Sequence, residues 1–82
     1  LVMYDAGMLA RSKAGHDKAQ MYIIKEVDDT YVYLVDGRIR TLGHPKKKKK
    51  KHVQIVHGIY NMKELDDAGI RKLIKDWMKE EK

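Results

Sequence analysis

The 82 residues contain no cysteine, which excludes a disulfide framework, thiolate zinc sites and cysteine nucleophiles together. No apolar run approaches the roughly 20 residues of a membrane span, and no secretory leader is visible, so the expected location is cytoplasmic. No glycine-rich phosphate loop precedes a helical stretch, and Ser12, the only serine, has no identifiable base beside it. Asp28-Asp29 and Asp66-Asp67 read as turn and helix-start residues rather than acid–base pairs. The four histidines, His16, His44, His52 and His57, lack paired ligand spacing. These absences predict a protein that is not an enzyme and holds neither metal nor cofactor. The chain opens Leu1-Val2-Met3, which fits an unusual start, a start at Met3, or a longer chain.

Length allows one domain at most, and 43% hydrophobic residues exclude a disordered tail by composition. A domain this small, without covalent staples, relies on packing, on a partner, or on both. The net charge is +6, and its placement is more informative than its size. Lys46, Lys47, Lys48, Lys49, Lys50 and Lys51 stand in a row; without them the other 12 basic residues balance the 12 acidic ones. Residues 57–82 carry six charges of each sign. So localised a positive field attracts a polyanion.

The first 56 residues have the patterning of short strands. Met8-Leu9-Ala10-Arg11-Ser12 forms one, opened by Gly7; a polar turn follows in which Gly15 takes positive φ. A second strand is expected over 20–27, rich in β-branched and aromatic residues. In Tyr31-Val32-Tyr33-Leu34-Val35, alternation sets Val32 and Leu34 against Tyr31, Tyr33 and Val35. Asp36-Gly37 predicts a two-residue hairpin, with Arg38-Ile39-Arg40-Thr41-Leu42 returning as a strand that points both arginines one way and Ile39 the other. A last short strand is expected over 52–56. Beyond Gly58, Asn61 and Glu64 have capping-box spacing, with Tyr60 and Leu65 as its staple. Ile70, Leu73, Ile74 and Trp77 then share one helical face, which predicts a short turn at 61–66 and a helix at 67–80. The fold expected is mostly β: a small barrel of about five strands over 1–58, followed by a helical extension over 59–82.

Gly7-Met8-Leu9-Ala10-Arg11-Ser12-Lys13-Ala14-Gly15-His16-Asp17-Lys18 resembles a KOW motif: a strand, a basic loop around one glycine, then a long apolar strand. With Asp36-Gly37-Arg38-Ile39-Arg40, Pro45-Lys46-Lys47-Lys48 and Lys51-His52-Val53, residues 7–56 are similar to small bacterial KOW-domain RNA-binding proteins. Those in turn resemble the KOW ribosomal proteins of archaeal and eukaryotic large subunits. The resemblance implies an SH3-like barrel and contact with ribosomal RNA, with ribosomal proteins as further neighbours. It departs from the pattern at Ala19, where a second glycine is common, and at His16, where arginine is usual.

The residues expected to touch RNA are Arg11, Lys13, His16 and Lys18 around the first turn, Arg38 and Arg40, the six lysines of 46–51, and His52. Lysines displace counterions from phosphates without regard to sequence, and arginine forks fit phosphate oxygens or stack on bases. Tyr31 and Tyr33 are either stacking platforms or half-buried tyrosines. The alternative function is a protein–protein adaptor, docking a partner through the barrel or the helix; the charge pattern alone also admits nonspecific DNA binding.

Overall fold

The computed structural model describes residues 3–13 and 20–80. Strands form where period-two alternation and β-branched residues coincide: β1 (Met8–Ser12), β2 (Met21–Val27), β3 (Tyr31–Val35), β4 (Lys46–Lys49) and β5 (Val53–Ile59). A 3-10 turn, Lys50–His52, joins β4 to β5; a second, Met62–Glu64, precedes the helix α1 (Asp67–Glu80). All four pairings are antiparallel, in the order β4-β3-β2-β1-β5. Register shifts occur in β1 against β5 and in β2 against β3. Such irregularities bend strands, and here the sheet curls into a half-barrel. The fold class is the one expected: mostly β, five antiparallel strands in a curled half-barrel with a C-terminal helix.

Curling gives the sheet two apolar faces. Within the curl Ala10, Tyr22, Ile24, Val32, Leu34 and Val53 are buried together. On the other face Leu9, Met21, Ile23 and Val35 meet Ile70 and Ile74 of α1, with Leu73 and Trp77 packed alongside. Leu9, Ile23, Val35 and Ile70 are fully buried. The helical face read from the sequence is therefore committed to the sheet. Asp66 caps α1: its carboxylate accepts the Gly69 N–H at 2.7 Å and its carbonyl accepts that of Ile70 at 2.9 Å. Asn61 caps the preceding 3-10 turn instead, accepting the Lys63 N–H at 3.0 Å.

Two expected elements differ. Residues 38–42 form no strand, and the fourth of the five strands is supplied by the lysine run. A two-residue turn of the expected kind needs positive φ at both central positions. Gly37 has φ +78°, but no described non-glycine residue, Asp36 included, has positive φ. Asp36 instead folds the loop around its carboxylate, whose Oδ1 accepts the Arg38 and Arg40 N–H groups, each at 2.9 Å. The Arg40 carbonyl accepts from Asp36 N and Gly37 N. Leu42 N donates to Asp67 Oδ1 at 2.8 Å, and Lys25 Nζ to the Leu42 carbonyl at 2.9 Å. The donors that a ladder would need are thereby taken up. The last strand also runs three residues beyond the expected end at residue 56. The Gly15 turn lies outside the described residues.

Candidate nucleic-acid interface

Lysine has little preference for strands, so β4 owes its form to its partner: Lys46, Lys47, Lys48 and Lys49 lie opposite Leu34, Tyr33, Val32 and Tyr31. It is an edge strand, and charge on an edge also discourages sheet-to-sheet pairing. Period two divides the run. Lys47, Lys49 and, in the following turn, Lys51 are exposed, whereas Lys46, Lys48 and Lys50 are half-buried. Three of the ammonium groups lie over aromatic rings: Lys47 Nζ is 4.2 Å from the Tyr31 centroid, and Lys46 and Lys50 are each 5.9 Å from those of Tyr22 and Tyr4. Burial, then the Lys48 charge, pushes the Lys46 pKa down.

The end of β4 is fastened to the β2–β3 turn. Lys50 N donates to the Thr30 carbonyl at 3.0 Å, and Lys50 Nζ to that of Asp29 at 3.2 Å. Tyr4 OH donates to the Lys50 carbonyl at 2.9 Å. Asp29, Thr30, Lys49, Lys50 and Lys51 line a notch of about 360 Å³. Lys13 N donates to the His52 carbonyl at 2.9 Å, which brings exposed Lys13 beside exposed His52.

Tyr31 and Tyr33 are half-exposed on the outer face, as alternation predicts. Asp28 accepts from Thr30 N at 2.9 Å, Tyr31 N at 2.7 Å and Tyr33 OH at 2.7 Å. Stabilised as an anion by the Tyr33 hydroxyl and then by the two backbone donors, its carboxyl titrates below the ordinary range. The same bond, followed by desolvation, raises the Tyr33 pKa.

Without a strand at 38–42, the two arginines do not share a face. Arg38 is exposed and lines a groove beside α1 with Arg71, Lys72 and Lys75. Arg40 is half-buried near Tyr22, whose pKa is raised by burial and by Asp36 and lowered by the Arg40 charge. Ile39, expected on the face opposite the arginines, is 84% exposed, as Arg38 beside it is exposed. Arg11 is half-buried on β1 opposite Met21. His16 and Lys18 lie outside the described residues. Arg71, Lys72 and Lys75 were not among the expected contacts. Their signal was the i, i+1, i+4 spacing of cations next to the apolar stripe, hidden by the neutral total of residues 57–82.

Among the described residues no group of three histidines or carboxylates is placed to hold a metal ion, and no helix is long and apolar enough to cross a membrane. No protein-family model matches the chain, and no curated protein matches it.

Proposed function

We propose that the protein is a KOW-type RNA-binding domain of the cytoplasm that grips the phosphate backbone of structured RNA, ribosomal RNA being the first candidate. The observation that carries this reading is the lysine strand, which holds exposed Lys47 and Lys49 in fixed succession, with exposed Lys51 next along the chain. Two residues along a strand span about 7 Å, so Lys47 and Lys49 meet a backbone as a pre-ordered pair, with Lys51 in the turn beyond them, rather than as a loose tail. Lys13, His52 and the half-exposed Tyr31 and Tyr33 border the row. Backbone contacts of this kind fix position with little base discrimination, so shape should be read better than sequence. An adaptor role through the helix is disfavoured, because Ile70 and Ile74 are already buried against the sheet.

The test is filter binding of ribosomal RNA and of a DNA duplex of equal length across a salt series. Tighter RNA binding is expected. The triple variant Lys47→Gln, Lys49→Gln, Lys51→Gln should reduce the steepness of the fall of log K with log[salt] by roughly 2, at about 0.7–0.9 per lost phosphate contact. Equal, weak binding to both nucleic acids, indifferent to the three lysines, would remove the reading.

A further inference from the structure

The open groove between the 36–42 loop and α1 has a volume of about 760 Å³ and shares no lining residue with β4 or its notch. Its walls carry Arg38 from the loop and Arg71, Lys72 and Lys75 from the helix, against one carboxylate among the described lining residues, Asp36. That carboxylate is 7% exposed, and its Oδ1 is engaged by two backbone N–H groups. Gln20 Nε2 donates to its Oδ2 at 3.4 Å. Arg71 is held in place by Nη1 donating to the Gly37 carbonyl at 2.6 Å, which leaves further donors on the same planar fork. Lys72 is 78% exposed and pairs with Asp76 one helical turn away, a solvent-screened contact that a stronger anion can displace. A surface selected only for solubility intersperses its signs, whereas this groove gathers four cations from two elements.

We infer that this groove is a second phosphate-binding surface, which takes a backbone segment of the same folded RNA apart from the segment held by the lysine strand. The inference rests on the RNA-binding reading and deepens it from one contact to two. The arginine forks supply bidentate geometry for phosphate oxygens and the lysines supply point charge. A folded RNA that presents two backbone segments at once is then bound with an effective concentration at the second contact, and a single linear strand is not.

The experiment measures binding of the whole chain to a folded ribosomal RNA fragment across a salt series, beside two triple variants. One is the lysine-strand variant above; the other is Arg38→Gln, Lys72→Gln, Lys75→Gln. Arg71 is kept because it holds the loop, and the three replaced side chains are exposed. Lys75→Glu alone is a second groove variant, and thermal melts matching the wild type confirm that each variant folds. The expected result is a slope reduced by roughly 2 in either triple variant and by the sum in the combination. A groove variant that retains the wild-type slope, while the strand variant loses it, overturns the groove and leaves the RNA-binding reading standing. A wild-type chain that binds the fragment without salt dependence overturns both.

Discussion

Replacing Gly37 by alanine tests the account of how the loop and helix are joined. Gly37 has φ +78°, and a Cβ there would fall on the Asp67 carbonyl oxygen and lie 3.0 Å from both the backbone nitrogen and Cγ of Arg71. The left-handed backbone costs an alanine about 1 kcal/mol. Relieving the overlap requires the loop to lift from the first turns of α1. That breaks the charge-assisted Arg71–Gly37 bond, worth about 1.5–3 kcal/mol, and strains the Leu42–Asp67 bond. The sum is about 3 kcal/mol. For a domain of this size each kcal/mol lowers Tm by roughly 4–8 °C, so a fall of about 12–24 °C is expected by circular dichroism. Gly43→Ala is the control, since a Cβ there meets nothing within 4 Å and φ is not positive; its cost should stay within about 0.5 kcal/mol. A Gly37→Ala protein melting within a few degrees of the wild type, or no lower than Gly43→Ala, would refute the reasoning.

Two further perturbations probe the core and the turn. Ile70→Ala removes a fully buried side chain between α1 and the sheet and should cost about 2–5 kcal/mol in urea unfolding; a cost under 1 kcal/mol would mean that the helix does not cover the sheet. The Asp28 carboxyl, hydrogen-bonded as an anion, should titrate below 3.8 by NMR, and Tyr33→Phe should move it back up. Because the folded pKa is depressed, the stability from this bond is present above the unfolded value and is lost as pH falls through the folded one. On the alkaline side the Tyr33 pKa is raised, so its contribution is complete below 10.0 and is lost as pH rises through the folded value. An Asp28 titration unmoved by Tyr33→Phe would discard the bond.

The elements with strong internal periodicity were legible in the chain itself. Alternation in β3 put Val32 and Leu34 inside the curl and Tyr31 and Tyr33 outside, and the i, i+3, i+4, i+7 spacing located α1 and its buried face. Local pattern decides these because the buried stripe and the backbone period must agree wherever an element lies. The lysine run carried the charge but no signal of its own conformation. Only its pairing with β3 made it a strand and sorted its side chains into exposed and half-buried sets. At Asp36-Gly37 local chemistry pointed to a hairpin, yet the carboxylate of Asp36, with Asp67 and Arg71 from the distant helix, held residues 36–42 as a loop. That loop sent Arg38 to the helical groove and Arg40 toward Tyr22. Composition and periodicity thus determined the fold class and the sign of the surface. Which cations stand together was decided by contacts between residues far apart in the chain, 34 positions in the case of Gly37 and Arg71, and no local pattern encodes those.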